Sequence, residues 1–503
     1  MPPYSRSLAD LVVEQAERYG SHPAVIAGDR VLSYAELADR AARVAGALRA
    51  RAIGRGDTVG LLVNNRAEWV EAFFGVMIAG ATVAAFSTWS TQDELDWLIA
   101  DSGICLLIAV DRFADNDYAA YAPALAVRET VLLSAFETLT VGPPAPRLDT
   151  DGSDVAILIS TSGSSSRPKS VPLTHRGIIE NGFNIGERQG YTPDDRVLLA
   201  PPLFWSYGSA NAMAAVLTHG ATLVLQGKFE PGEAIALIEQ HRCTALYTLP
   251  SITNAIVSHP SFSRGRVRSL RTGVTIGAPQ DILTAAQVLG AAEICNVYGQ
   301  TESYGNCAVT PHDWPLERRA ACQGPPLPGV TIRIVDGDGM VLPAGQEGLI
   351  EVQGYVMLGY TGASADQTAA VTTPDGFFRT GDMGRLLEDG AVSFSGRISE
   401  MIKKGGINIS PAEVEDVLMR HADVALAGVV GVPDPLQGEL LAAFVVTKSG
   451  AVVTAAELAA HCRALASRYK VPDFIEIRSE LPVTVTGKLM RRELKTMAAG
   501  LRA

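Results

Sequence analysis

Residues 159–169 combine many side-chain hydroxyls with one glycine and a closing lysine. They read Ile-Ser-Thr-Ser-Gly-Ser-Ser-Ser-Arg-Pro-Lys and follow an apolar run, 155–159, that is typical of a buried strand. Hydroxyls and exposed backbone N–H groups can surround a polyphosphate, and the lysine adds a positive charge. The segment is not a Walker A loop, because GxxxxGK followed by Ser or Thr occurs nowhere in the chain. Taken alone, it is equally compatible with a plain surface loop.

Four further segments place rings, acids and cations beside glycines. The segment 296–302 has an aromatic ring, a glycine and an acid, and 379–382 places an acid after a predicted tight turn. In 396–411, cations flank paired glycines, and 482–488 ends in a lysine on a predicted exposed turn. Each segment alone has an ordinary structural explanation, such as a core ring or a solvated cation.

In this order and at these separations, the five segments resemble the acyl-adenylate-forming (AMP-binding) superfamily, and its acyl-CoA and aryl-CoA synthetase branch in particular. The superfamily also includes the adenylation domains of nonribosomal peptide synthetases and firefly luciferase. The resemblance extends from the helix that begins at Ser33 to Lys488. It implies that a carboxylic acid reacts with ATP to give acyl-AMP and pyrophosphate, and that a thiol then displaces AMP. Because a carboxylate is a weak nucleophile and the triphosphate is highly charged, catalysis needs positioning and charge neutralisation.

The resemblance also implies roles for individual residues. Asp382 would accept the ribose hydroxyls, and Arg397 would reach the ribose or a phosphate. Glu302 would hold Mg²⁺ together with Thr161 or Thr301, since a divalent ion that bridges phosphates suits a single carboxylate. The other implied ATP contacts are the phosphate loop Thr161, Ser162, Gly163, Ser164, Ser165 and Lys169, the adenine-stacking Tyr298, and Gly277, Ala278, Pro279, Gly299, Gln300 and Thr301.

Lys488 is the residue that the resemblance identifies as catalytic. Its ammonium would steer the carboxylate and stabilise charge on the α-phosphate and the bridging oxygen. Lys403, Gly405 and Gly406 would contact coenzyme A. The two glycines, which have no side chains, suit the wall of a narrow tunnel.

The chain departs from the family pattern at four positions. Ser166 and Ser170 stand where the family has glycine, and serine tolerates positive φ poorly, which predicts a stiffer or differently shaped loop. Trp205 replaces a frequent histidine after Pro-Leu-Phe, and so removes a titratable group and adds apolar surface. Ser399 occupies the hinge position, which is usually Asp or Lys.

The acid substrate is predicted from the residues expected to line its pocket, which are Trp205, Ser206, Tyr207, Gly208, Ile276, Gln300 and Tyr304. They include no cation for a second carboxylate and no acid for an α-amine, so a hydrophobic or aromatic monocarboxylic acid is favoured over malonate or an amino acid. The absence of a carrier or condensation domain favours coenzyme A as the acceptor. Two alternatives are an enzyme that loads a carrier protein and a non-catalytic nucleotide-binding protein.

Composition excludes several other classes of protein. The 503 residues are 47% hydrophobic and 19% charged, which is typical of a globular chain rather than a disordered one or a coiled coil. A net charge of −12 argues against nucleic-acid binding, and the most apolar stretch, 73–86, is too short to span a membrane. The six cysteines form no CxxC pair, and no apolar leader follows Met1, so we expect a cytoplasmic protein. The sequence makes no prediction of the oligomeric state.

The elements that must position these residues alternate between strands and helices. Short apolar runs and amphipathic segments predict layered α/β subdomains, with a capping box at Ser33 and a β-rich subdomain over 324–396. We predict an N-terminal domain at 1–396, a hinge at 397–400 and a small, mobile α+β C-terminal domain at 401–503. In the last of these, Ser410 is predicted to cap a helix, with proline at its first position.

Lys488→Ala is expected to lower adenylate formation by several orders of magnitude, because it removes the cation assigned to the reacting carboxylate. Thioester formation from supplied acyl-AMP should be largely preserved. Pyrophosphate exchange and single-turnover transfer to coenzyme A measure the two steps separately. An equal fall in both would mean that Lys488 serves folding or acts in both steps.

Overall fold

The computed structural model describes residues 2–161, 168–404, 407–483 and 489–500. Within them, the largest sheet has eight strands in the order β16-β15-β14-β13-β11-β12-β1-β2, with β2 and β16 antiparallel at its edges and the inner strands parallel. Its strands are β1 (Pro23–Ala27), β2 (Arg30–Ser33), β11 (Arg196–Leu199), β12 (Thr222–Leu225), β13 (Ala245–Tyr247), β14 (Thr272–Thr275), β15 (Cys295–Tyr298) and β16 (Ala308–Val309).

A second sheet of six strands, in the order β10-β9-β4-β3-β5-β8, ends in an antiparallel pair, β9 and β10. Its strands are β3 (Thr58–Leu62), β4 (Thr82–Ala85), β5 (Leu106–Ala109), β8 (Glu129–Leu132), β9 (Val155–Thr161) and β10 (Lys169–Thr174). A short hairpin, β6 (Arg112–Phe113) and β7 (Asn116–Asp117), lies outside it. The strand predicted at 155–159 is confirmed and continues to Thr161, so the hydroxyl-rich segment leaves the end of one strand and Lys169 begins the next.

The helices cover the parallel strands, which must be joined by crossovers. In the N-terminal region they are α1 (Leu8–Tyr19), α2 (Tyr34–Ala50), α3 (Ala67–Ala79), α4 (Gln92–Ser102), α5 (Tyr118–Tyr121), α6 (His175–Gln189), α7 (Ala214–Thr218), α8 (Pro231–His241), α9 (Pro250–Ser258), α10 (Pro279–Leu283), α11 (Leu316–Ala321) and α12 (Thr368–Val371). The predicted capping box is confirmed, because the Ser33 side chain accepts from the Glu36 N–H and the Glu36 carboxylate accepts from the Ser33 N–H. No helix in these described stretches is long and apolar enough to cross a membrane.

Residues 331–397 form an antiparallel four-stranded sheet, which agrees with the β-rich subdomain predicted over 324–396. Its strands are β17 (Thr331–Val335), β18 (Gly348–Gln353), β19 (Phe378–Leu386) and β20 (Val392–Arg397). The nine-residue strand β19 was not predicted, because the polar residues and glycines within it hide the alternation of a half-buried strand. Asp382 therefore lies within a strand and not in a turn.

The last hundred residues carry apolar clusters of their own, drawn only from residues 402–498. Their elements are β21 (Ile402–Lys404), β22 (Ile407–Ile409), α13 (Pro411–Met419), β23 (Val424–Asp434), β24 (Gly438–Thr447), α14 (Ala455–Leu465), β25 (Phe474–Arg478) and α15 (Arg491–Ala499). The helix predicted after Ser410 is confirmed, with Ser410 at the N-cap position and Pro411 at the first helical position, but the Ser410 hydroxyl makes no capping bond and donates to the carbonyl of Ser395. The hydroxyl thus donates to a distant carbonyl and does not accept from an N–H of its own helix.

Candidate active site

A buried carboxylate joins two strands that are far apart in the sequence. Asp382 on β19 is 2% exposed, and its Oδ2 accepts from the Tyr298 hydroxyl at 2.9 Å and from Gln300 Nε2 at 2.5 Å. Arg397 lies opposite Asp382 in the β19–β20 register, and its Nε is 3.2 Å from Oδ1. The acid, the ring and the cation that were assigned to the nucleoside are therefore brought together.

The electrostatics of this carboxylate depend on its burial and its partners. Burial raises the pKa of Asp382, and the charge of Arg397, followed by the hydrogen bonds from Gln300 and Tyr298, opposes that rise. Its Oδ1 makes no hydrogen bond to any described residue, so this oxygen can still accept from a ligand. Burial and the neighbouring Asp382 hold the pKa of Tyr298 well above its usual value, which keeps the phenol protonated as a donor.

The predicted adenine residues lie at one edge of the large sheet. Because β14 and β15 are parallel neighbours, Gly277 and Tyr298 follow or end adjacent strands at the same carboxyl edge. Gly277 has φ +146°, and Asp281 accepts from the Ala278 N–H at 2.9 Å to begin the helix at Pro279. The Tyr298 ring also stacks on Phe394 of β20, with centroids 5.6 Å apart, a neighbour that sequence reasoning missed.

Lys169 and Glu302 are connected by a tyrosine. The Lys169 ammonium lies 4.7 Å from the centroid of the Tyr360 ring, and the Tyr360 hydroxyl donates to Glu302 Oε1 at 2.9 Å. Burial and the charge of Glu302 raise the pKa of Tyr360. The residue expected at the phosphates and the residue expected at the metal therefore flank one ring, and no motif in the sequence indicated Tyr360.

Two oxygen donors fit a magnesium ion that takes its other ligands from phosphates and water. The Glu302 side chain is 9% exposed, and the Thr161 hydroxyl is buried without a hydrogen-bond partner among the residues described. No group of three or more His, Cys, Asp and Glu side chains in that part of the chain could hold a metal. A metal at this site would therefore depend on the nucleotide for most of its ligands.

Ser170 does not have the strain expected at a position where the family has glycine. It pairs with Ser160 in the β9–β10 ladder and is absent from the described non-glycine residues with positive φ, which are Ala52, Ala114, Arg242 and Tyr304. The altered loop shape predicted there is thus wrong for Ser170, because extended backbone accepts any side chain. Ser166 lies outside the described residues.

A cavity of about 330 Å³ lies beside Trp205. The indole meets the rings of Trp89 and Phe204 in edge-to-face contacts, with centroids 5.3 Å and 6.2 Å away. Among the predicted acid-pocket residues, Trp205 is the one that lines this cavity. Its other lining residues are Asn64, Asn65, Thr88, Trp89, Phe113, Ala200, Pro201, Pro202, Phe204, Gly227, Lys228, Phe229, Leu249, Ser251, Ile252 and Val483. The exposed Lys228 is a cation that sequence reasoning left out.

The other predicted pocket residues lie around the nucleotide motif. Ser206 Oγ is 3.1 Å from the hydroxyl of Thr301, and Tyr207 donates to the carbonyls of Thr248 and Val274. Tyr304 is buried, and its hydroxyl accepts from the Thr174 N–H. Three predicted residues have simpler surroundings: Ile276 is exposed, Gly208 has no room for a Cβ against the Pro202 carbonyl, and Gly299 has none against the Gly305 carbonyl.

The structure describes some of the remaining predicted site residues and not others. Lys403 is exposed on β21, and its N–H donates to Glu439 at 2.7 Å. Ser399 lies in the 3₁₀ turn Ile398–Glu400. Ser162, Gly163, Ser164, Ser165, Gly405, Gly406 and Lys488 fall outside the described residues, so their roles stay predictions.

Comparison with known proteins shows the family to which the chain belongs. The AMP-binding enzyme family matches residues 12–361, and the C-terminal domain of that family matches 413–488. The chain therefore belongs to the AMP-binding enzyme family and, within it, to the AMP-forming acyl-CoA ligases. The family and the α/β fold with a small C-terminal domain, both predicted above, are confirmed.

The relatives cover the whole length of the chain. A feruloyl-CoA synthase of Amycolatopsis sp is 33% identical, covering 98% of this chain and 99% of the relative. A sulfoacetate–CoA ligase of Cupriavidus necator is 31% identical, covering 97% of each. The crystal structure of ATP-bound MatB from Rhodopseudomonas palustris has a TM-score of 0.89 at 26% identity, covering 98% of this chain and 100% of that one.

Glu302→Gln is expected to weaken metal binding and so to raise the concentration of Mg²⁺ or Mn²⁺ that adenylation needs. The change removes one charge at nearly constant shape, and the amide oxygen can still accept from Tyr360, so the fold should persist. Metal titrations of pyrophosphate exchange test this, with Glu388→Gln on an exposed turn as the matched control. An unchanged metal dependence would remove Glu302 from the site.

Proposed function

We propose that this ligase activates a hydrophobic or aromatic monocarboxylic acid as its acyl-AMP, releasing pyrophosphate, and then transfers the acyl group to coenzyme A. The observation that carries the choice of acid is the cavity beside Trp205, whose walls include the rings of Trp89, Phe113 and Phe204. Next to Trp205 in the chain, Ser206 contacts Thr301 of the nucleotide motif. An acid whose apolar group lies beside these rings would have its carboxylate close to the nucleotide motif.

The charges around the cavity argue against a dicarboxylic acid. Among the described residues that line it, the one lysine is Lys228, which is exposed, and the rings of Phe113, Phe204 and Trp205 contribute apolar surface. A second carboxylate among those rings would lose its hydration without gaining a buried cation. The relatives act on acids as different as feruloyl and sulfoacetyl groups, so their names do not decide between substrates.

Within this function, the residues of the nucleotide site position and neutralise charge. Lys169 would lie against the β- and γ-phosphates, and Glu302 with Thr161 would hold Mg²⁺, which screens the triphosphate from the incoming carboxylate. Asp382 would accept hydrogen bonds from the ribose hydroxyls through Oδ1, and the ion pair with Arg397 would favour the ionised form of that carboxylate. Lys488 would supply the cation at the α-phosphate.

The two half-reactions need different groups at the same acyl carbon, which is why the small domain is proposed to rotate. Arg397 is bound to Asp382 of the large region, whereas Glu400 is bound at 2.9 Å to Arg491 of the small one. The residues left between these two anchors are Ile398 and Ser399. The proposed pivot therefore falls within the predicted hinge at 397–400, and the Ser410–Ser395 bond would break as the domain turns.

A panel of acids tests the proposed substrate class. Benzoate and hexanoate should support faster pyrophosphate exchange and coenzyme A ester formation than malonate or amino acids. Neither benzoate nor hexanoate has a second charged group that would be placed among the rings. Mass measurement of the product identifies the ester. Lys228→Met should leave the benzoate rate unchanged, since that side chain is exposed to solvent. Faster turnover of malonate than of benzoate or hexanoate would overturn the proposal.

Variants at the hinge and the tunnel test the rotation. Ser399→Pro should fix φ at the pivot, so that one half-reaction is lost and the other kept. Ser399→Ala, which keeps the backbone free, is the matched control. Gly405→Leu or Gly406→Leu should block transfer to coenzyme A and spare pyrophosphate exchange. If Ser399→Pro leaves both halves running, the pivot lies elsewhere, and normal transfer by the leucine variants would refute the tunnel.

A further inference from the structure

The hydroxyl of Ser170, next to Lys169, donates to a carboxylate from helix α4. Ser170 is 4% exposed, and its Oγ donates to Asp101 Oδ2 at 2.8 Å. The other oxygen, Oδ1, accepts from the Ala363 N–H at 2.6 Å. One carboxylate thus connects α4, β10 and the segment that follows Tyr360, and we call these three residues the Asp101 clamp.

Backbone contacts reinforce the same connection. The Thr361 N–H donates to the carbonyl of Ser170 at 3.1 Å. Gly362 adopts φ +60°, and a Cβ there would lie 2.2 Å from Asp101 Oδ1, so the chain can approach the carboxylate only without a side chain. The register between β10 and residues 361–363 is therefore fixed from both sides.

The presence of an acid at position 101 is not explained by the helix to which it belongs. Asp101 lies in the last turn of α4, where the helix dipole disfavours a negative charge and no basic residue is present to compensate. Its partners are the two donors outside the helix. Ser170, for its part, stands where the family pattern has glycine, which has no hydroxyl to donate.

The clamp lies close in the chain to Lys169, which is predicted to meet the phosphates, and to Tyr360, which contacts the predicted metal ligand Glu302. Lys169 precedes Ser170 and lies over the Tyr360 ring, and Tyr360 precedes Thr361 and donates to Glu302. A shift of β10 against 361–363 would therefore change the separation of the phosphate cation from the metal carboxylate. Positioning errors of this kind weaken transition-state contacts more than they weaken the fold.

We propose that Ser170 and Asp101 are positioning residues for the adenylation half-reaction, holding Lys169 and Glu302 in the register that binds Mg²⁺–ATP. The inference rests on the proposed function, since it requires that the two residues serve the triphosphate. It extends that function by adding a side-chain pair that the family pattern does not contain.

Ser170→Ala and Asp101→Asn should each raise the KM for ATP in pyrophosphate exchange about tenfold, the effect of one lost hydrogen bond to a charged group. The metal concentration required should rise with it. The KM for the acid and the rate of ester formation from supplied acyl-AMP should stay unchanged. Ser102→Ala is the matched control, because that neighbouring hydroxyl donates within its own helix to Leu98 and Ile99.

The double variant Ser170→Ala/Asp101→Asn should be no worse than Ser170→Ala alone, since that change already removes the bond that Asp101→Asn weakens by removing its charge. An ATP KM for Ser170→Ala equal to that of Ser102→Ala would overturn the clamp. So would a parallel loss of both half-reactions together with thermal stability, which indicates a purely structural pair. Absence of exchange by the unaltered enzyme with every acid would instead refute the proposed function.

Discussion

The arrangement of the nucleotide site depends on the burial of one carboxylate, that of Asp382. A charge removed from water must be paired or hydrogen-bonded, and here Tyr298, Gln300 and Arg397 meet that demand. Two of these partners come from the end of β15 and the loop after it, and the third from β20. The antiparallel sheet is thereby fixed against the carboxyl edge of the large parallel sheet, where α/β folds bind their ligands.

The residues predicted to meet the phosphates and the metal depend on the second sheet in a similar way. Strand β10 carries Lys169 to Tyr360, whose hydroxyl reaches Glu302. These residues gather cation, ring and carboxylate within a few ångströms without any group that must exchange a proton with the substrate. Such a site suits a reaction limited by charge neutralisation, because preorganised charges need no rearrangement when the triphosphate is attacked.

The cavity beside Trp205 offers a different environment. Its described lining combines the rings of Trp89, Phe113 and Phe204 with one exposed lysine, Lys228. Under the proposed function, the reacting carboxylate would lie between this cavity and the charged nucleotide residues. The ion pairs Arg397–Asp382 and Arg491–Glu400 leave a short stretch between two anchored regions, which is where a rotation can be absorbed.

The sequence by itself determined the family, the α/β class and the capping box at Ser33, and it predicts the types of residue that would meet ATP. These follow from local spacing and hydrophobic periodicity, which a single segment carries. The tertiary structure decided what lies far apart in the chain: Tyr360 beneath Lys169, the strand that holds Asp382, the acceptor taken by Ser410, Lys228 in the cavity lining and the Asp101 clamp. Those contacts join segments tens to hundreds of residues apart, and no local pattern specifies which buried donor will meet which acceptor.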